Sequence, residues 1–359
     1  MKSKKWLISF VAISLGLLLL MGALVYAFDP YYRYHGDIKE YKLLKSRYSD
    51  AGLIYNYEYD TVMIGSSLMQ NFDMNDFNEK LGCRAIKATI GGISLSEMEY
   101  LTDIILKQNK CKKLYCCIDL SLLAQEKEKD DMRFSGFLYD DDPLNDYQYL
   151  YGYEVWMRFL PVDAALWAAL KAGVALPDKI VKGTDPDYLE YWADNYTYGE
   201  KETKEKYLKF TNKIVPETVG TDLLYDHMKT RADEFLGCFD NDGAEYVIFF
   251  PPYSILYWQY LDMKQYYDIF LQIKQYICDR AAENDNITVY DFQSADFVTE
   301  LEHYKDPLHY GPDINALMTE CFADGSYKAD PAAVSENIAK LGGMLAEYKK
   351  ANADWLRTE

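Results

Sequence analysis

The chain reads as an α/β protein, and three observations point there. Short apolar runs of strand length recur at 60–65, 84–90 and 113–120, with helix-spaced stretches between them. The alternation stops over 125–240, then resumes with a run at 246–250, a long amphipathic stretch and a run at 286–292. Ahead of all this lies a 23-residue segment without charge, Trp6 to Phe28. Strands alternating with helices predict a parallel sheet built by crossover connections. The expected architecture is therefore a flavodoxin-like three-layer parallel sheet, preceded by a transmembrane helix and interrupted by a helical insert.

The elements follow in order. Three lysines in Met1 to Lys5 precede the apolar segment, and Asp29 follows it. At 1.5 Å per residue the segment reaches about 35 Å, enough to cross a bilayer. The lysines place the N-terminus in the cytoplasm and the rest outside, as a single-pass protein of the cell membrane. Val25-Tyr26-Ala27 also fits a small-residue cleavage site, but the apolar run is longer than a signal peptide needs, which favours an uncleaved anchor. Tyr31, Tyr32 and Tyr34 form an aromatic juxtamembrane segment suited to the headgroup level. Residues 29–58 are thus juxtamembrane, with a short helix over 37–50, and 59–359 form the main domain. Strand 60–65 leads to a helix at about 74–82, and strand 84–90 ends at Gly91-Gly92. Ser94 followed by Glu97 is a helix-capping pattern. Strand 113–120 comes next.

The insert at about 125–240 is rich in charge, Tyr and Trp. It includes Trp156, Trp167 and Trp192, and an Asp140-Asp141-Asp142-Pro143 loop. We expect it to pack over the site end of the sheet as a lid or acceptor platform, with 223–239 returning as a helix. Asp240-Asn241-Asp242-Gly243 is a turn. Strand 246–250, the Pro251-Pro252-Tyr253-Ser254 exit loop, one long helix over 256–283, strand 286–292 and a tail helix at 331–351 complete the chain.

Composition excludes several functions. A hydrophobic content of 49% supports a large core, and a formal net charge of −19 repels nucleic acid and anionic lipid surfaces. None of the seven cysteines forms a C-x-x-C pair, and Cys116 and Cys117 point to opposite sides of a strand. They read mostly as buried free thiols. No His/Cys spacing indicates zinc and no glycine motif indicates a nucleotide, so no metal or cofactor is expected.

Two segments carry chemistry. Val62-Met63-Ile64-Gly65-Ser66-Ser67 is a strand ending in a small-residue turn with two hydroxyls. Asp306-Pro307-Leu308-His309 sets a carboxylate three residues before a histidine in a Pro-containing loop. A serine hydroxyl becomes a useful nucleophile when a base takes its proton and a carboxylate orients that base. Ser67, His309 and Asp306 supply those roles. The chain has four histidines, and His303 with Glu300 repeats the spacing in a stretch that reads as helix. Ser66, Asp119, Ser121, Tyr253 and Ser254 also follow strands and are candidate supporting residues. An ionised Asp119 would repel an oxyanion, which leaves Ser121 or a backbone amide as donor. The Pro251–Ser254 stretch reads by default as a rigid loop. Ligands of open parallel sheets bind beyond the carboxyl ends of the strands, where all these residues fall.

The order Ser, Asp, His, the Gly-Ser-Ser after the first strand and the late Asp-x-x-His resemble the SGNH (GDSL-type) hydrolase superfamily. More narrowly they resemble its membrane-anchored bacterial envelope members, such as the teichoic-acid D-alanylation and alginate O-acetylation proteins. The resemblance covers roughly 60–125 and 243–325. It implies Ser67, Asp306 and His309 as the triad, and the amides of Ser67 and of Gly91 or Gly92 as oxyanion donors. It departs at Ser66, where the Gly-Asp-Ser form has Asp, and at Ile118-Asp119-Leu120-Ser121, where the family's Gly-x-Asn-Asp block is missing. The implied function is that of an extracytoplasmic serine esterase or O-acyltransferase acting on a cell-envelope glycan or acyl ester, with a membrane O-acyltransferase as partner. The missing Asn block favours the alternative, a non-catalytic envelope binding or scaffold protein on the same fold.

Overall fold

The protein is described from a computed structural model, which covers residues 2–29, 31–35, 46–125, 136–139, 144–152, 155, 196–211, 221–240 and 243–356. Trp156, Trp167, Trp192, the Asp140–Pro143 loop and all of 37–45 lie outside the described residues, and of the helix expected over 37–50 the described part runs instead over Ser46–Asn56. The chain divides into two units, residues 1–58 with 133–189 and residues 59–132 with 190–359.

The larger unit is an α/β domain. Five strands, β1 (Thr61–Gly65), β2 (Ala85–Thr89), β3 (Lys113–Cys117), β4 (Glu245–Phe250) and β5 (Ile287–Asp291), form one sheet. They lie in the order β2-β1-β3-β4-β5 and every pairing is parallel. This is the flavodoxin-like order, in which the crevice opens where the chain reverses its direction of travel, beyond β1 and β3. Residues Thr61–Gly65 are all buried, as a central strand covered on both faces requires.

The crossovers follow local signals. Asp73 caps helix Met74–Leu81 by accepting from the Asn75 and Asp76 amides. Ser94 and Glu97 form a reciprocal capping box on helix Leu95–Lys107. Two expectations are corrected. β3 ends at Cys117 instead of running to 120, because Asp119 caps a short helix at Leu120–Leu123. The single helix expected over 256–283 is two, Ile255–Met263 and Tyr267–Ala281. The chain bends between them at Gln265, whose φ is 61°. The amphipathic pattern runs across the bend and so hides it.

Helix Pro312–Asp324 follows the Asp-x-x-His segment and is anchored by Phe322. That ring lies 5.2 Å from Tyr115, 5.3 Å from Phe249 and 5.0 Å from Tyr290, so it spans three strands. Beneath the sheet's far edge, Lys274 and Asp291 form a wholly buried ion pair at 2.7 Å. Asn337 Nδ2 and the Gln293 amide also donate to the Asp291 carboxylate.

In the smaller unit, helix Lys2–Phe28 contains a stretch, Lys4–Ala27, long and apolar enough to cross a membrane. Its end is tied into a knot by Asp29. That carboxylate accepts from the amides of Arg33, Tyr34 and His35 and from the Tyr149 hydroxyl. Helices Ser46–Asn56, Gly136–Tyr139 and Leu144–Tyr151 complete the unit's described part.

Candidate active site

Gly65 closes β1 at a point of close approach. A Cβ there would lie 2.3 Å from Met69 Sδ and 3.1 Å from Cys117 Cβ, so only glycine lets the next turn fold back. That turn is the 3-10 segment Ser67–Met69, capped by Ser66, whose hydroxyl accepts from the Leu68 amide. Ser66 is thereby occupied in holding the turn, and Ser67 is the hydroxyl presented outward. Asn315 Nδ2 contacts the Leu68 carbonyl at 3.5 Å from helix Pro312–Asp324.

The histidine arrives on a closed loop. Tyr304 and Tyr310 bridge as a short antiparallel pair, and the Lys305 amide donates to the His309 carbonyl at 3.1 Å. Both tyrosines are buried. The loop is fastened from two sides. From the β4 exit, the Ser254 hydroxyl and amide both donate to the Pro307 carbonyl, and the Tyr304 hydroxyl donates to the Pro252 carbonyl. From the returning end of the insert, the Gly199 amide and the Thr203 hydroxyl donate to the Tyr304 carbonyl. Thr203 lies in the first turn of helix Glu200–Thr211.

These restraints bring the three expected residues together. Ser67 Oγ lies 2.9 Å from His309 Nε2. His309 Nδ1 lies 2.9 Å and 3.0 Å from the two Asp306 oxygens. Asp306 Oδ1 also accepts from the Leu308 and His309 amides. Lys305 Nζ sits 3.1 Å from Asp306 Oδ2, with both side chains 14% exposed. Burial pushes the Asp306 carboxyl up. The bond and charge of His309, the Lys305 ammonium and the His309 amide outweigh it, and hold the carboxyl well below the usual range. An ionised Asp306 accepts the proton on Nδ1, which leaves the Nε2 lone pair facing the Ser67 hydroxyl.

His303 is engaged elsewhere. It pairs with Asp313 and, at 3.2 Å, with Glu300. It lies in a 3-10 turn, Leu301–His303, in a stretch that had read as helix.

The remaining candidates divide into two groups. Gly91 and Gly92 form an exposed turn after β2, with Gly92 at φ 66°. A Cβ on Gly91 would meet Gln70 Oε1 at 3.4 Å, so this turn abuts the residue that ends the Ser67 turn. Gln70 Nε2 also reaches the Thr89 carbonyl at 3.4 Å. Asp119, Ser121 and Tyr253 form a separate buried knot. Asp119 Oδ1 accepts from the Ser121 amide at 3.0 Å, the Ser121 hydroxyl at 2.6 Å and the Tyr253 hydroxyl at 2.6 Å. The Ser121 proton is therefore committed to Asp119. Burial, and then the Asp119 charge, drive the Tyr253 hydroxyl well above its ordinary pKa, so it stays a donor. Beside this knot a cleft of about 690 Å³ is lined by Ser121, His227, Tyr257, Tyr260, Lys264 and Phe270, among others.

Three residues that hold the site were not anticipated: Lys305, Tyr196 and Thr203. Tyr196 lies under the Lys305 ammonium at 4.2 Å. The adjacency of Lys305 to Asp306 was a usable signal. The contribution of 196–203 had none, since its partners lie about a hundred residues away.

No protein-family model and no curated protein matches the chain. Among solved structures it is similar to the C-terminal catalytic domain of Streptococcus pneumoniae peptidoglycan O-acetyltransferase A, determined with a methylsulfonyl adduct. The TM-score is 0.32 at 11% identity, covering 82% of this chain and 95% of that one. A likeness of this degree has no weight for function.

Proposed function

We propose that the chain is a serine-dependent acyl esterase or O-acyltransferase, anchored by its N-terminal helix and acting outside the membrane on an acylated cell-envelope glycan. The observation that carries this is the continuous hydrogen-bonded line from Ser67 Oγ through His309 to Asp306. Ser67 Oγ attacks the ester carbonyl while its proton moves to His309 Nε2. Asp306 stabilises the imidazolium. His309 then protonates the leaving alkoxide, and an acyl group remains on Ser67. Water, or a sugar hydroxyl deprotonated by His309, attacks that acyl group and restores the enzyme. The amides of Ser67 and of Gly91 or Gly92 are the proposed oxyanion donors. A membrane O-acyltransferase that delivers acyl groups would suit the transfer version of this reaction. The net charge of −19 argues against nucleic acid as substrate.

The scaffold reading is favoured by one feature. Asp119 stands in the stretch that replaces the missing Asn block, and its Oδ1 accepts three hydrogen bonds where an Asn would offer a donor. A fluorophosphonate probe separates the two readings. Labelling of the full chain that disappears in Ser67→Ala supports an activated serine. Absence of labelling, together with no turnover of aryl acetates, would transfer the assignment to a binding module.

A further inference from the structure

Helix Leu144–Tyr151 is built inside out for an aqueous surface. Its buried face carries Asn145 and Tyr149, while Leu144 is 74% and Tyr147 69% exposed. Leu144, Tyr147 and Tyr151 are spaced i, i+3 and i+7 and so share one face. The Tyr147 and Tyr151 rings lie 5.2 Å apart. Its only charge, Asp146, is taken by Arg33 at 2.9 Å and by the Tyr34 hydroxyl.

The apolar face continues along the membrane helix. A Cβ on Gly22 would lie 2.5 Å from Tyr151 Oη, so the Tyr151 ring fills the notch that this glycine leaves. Gly22 is six residues before Phe28, about 9 Å back along the axis and inside the apolar stretch. Tyr149 fixes this placement by donating to Asp29 at 2.7 Å and accepting from the Tyr31 amide at 3.0 Å. Tyr26, 52% exposed, lies at the same end of the span. Exposed Leu144 and Tyr147, continued by half-buried Tyr151 into a lipid-length apolar helix, fit the boundary between headgroups and acyl chains, where aromatic rings with polar tips are favoured.

We infer that helix Leu144–Tyr151 is an interfacial membrane helix, seating Leu144, Tyr147 and Tyr151 in the phospholipid boundary beside the anchor. This rests on reading Lys4–Ala27 as a membrane span. Aromatic and aliphatic burial drives the contact, so it does not require anionic lipid, which the chain's charge disfavours.

The test uses the full chain in phosphatidylcholine vesicles, with the half-exposed Cys83 and Cys238 changed to serine. Nitroxide labels are placed singly at Leu144→Cys, Tyr147→Cys, Leu17→Cys within the span, and exposed Asp285→Cys as the aqueous reference. Collision with oxygen, which concentrates in lipid, is compared with collision with a water-soluble nickel complex. The inference expects oxygen-to-nickel ratios at 144 and 147 about tenfold above that at 285, approaching the Leu17 value. Water-like ratios at 144 and 147 with a lipid-like ratio at 17 overturn the inference and leave the span standing. Protection from both reagents overturns it too, since protein and not lipid then covers the stripe. A water-like ratio at Leu17 removes the span and the inference together.

Discussion

Replacing Asp306 by asparagine tests the catalytic reading most directly. The side chain keeps its size, and an amide oxygen at the Oδ1 position can still accept from the Leu308 and His309 amides at 3.0 Å and 2.9 Å. The loop should therefore survive. What disappears is the negative charge beside the imidazolium that forms when Ser67 gives up its proton. With charge centres about 4 Å apart and an effective dielectric near 20, that charge is worth about 4 kcal/mol. Little of this is lost to solvent, because Asp306 is 14% exposed. The Lys305 ammonium, 3.1 Å from the Oδ2 position, would then face an uncharged amide and disfavour the imidazolium further. At 1.36 kcal/mol per factor of ten, kcat/KM should fall about a thousandfold. The assay is hydrolysis of an aryl acetate by the full chain, alongside the rate of fluorophosphonate labelling and a thermal melt. A loss under about tenfold in a variant that melts like the wild type would refute the role given to Asp306, because the imidazolium would then need no counter-charge.

Other perturbations address the scaffold. Lys274→Met should cost about 3–5 kcal/mol in urea unfolding, since it leaves Asp291 charged and buried. Pairing it with Asp291→Asn should recover most of that loss. Ser254→Ala removes one of two donors to the Pro307 carbonyl; it should cost about 1 kcal/mol and lower ester turnover by loosening the His309 loop. Burial pushes His303 down, but Asp313 and Glu300 outweigh it and raise its pKa above 6.5. Stability from these ion pairs is therefore full below the unfolded value and is lost as pH rises through the folded one. The urea midpoint of the wild type should fall towards that of His303→Gln over this window, and a constant difference between them would remove the linkage.

The strands and the two chemical segments were legible because local patterning decides them. Apolar runs of five or six residues and a Gly-Ser-Ser turn are set within the segment itself. The relation between Ser67 and His309 was legible only in part, through chain order and strand context. Asp119 reads from the sequence as a hydrogen-bonding loop residue, but its partner Tyr253 was not readable, because that donor comes from the exit of the neighbouring strand β4. Nor was the bend at Gln265, where a continuous helical pattern conceals a change of backbone sign. Which tyrosines of 144–151 are buried was not readable, since spacing alone does not say which face of a helix turns to protein; Tyr149 is buried and Tyr147 exposed. Insert helices 200–211 and 221–236 fall with the sheet, whereas 136–139 and 144–151 fall with the N-terminal helix. That division depends on long-range packing.

This partition of the chain bears on shedding. A domain on a simple stalk is released into the medium by one proteolytic cut. Here the polypeptide passes between the two units three times, at 58–59, 132–133 and 189–190. A cut at the first crossing leaves the sheet-bearing unit joined by covalent bonds to 133–189, the other part of the smaller unit. Release then requires either two further cuts or the unfolding of the smaller unit. A single nick at 58–59 therefore leaves the two units covalently joined.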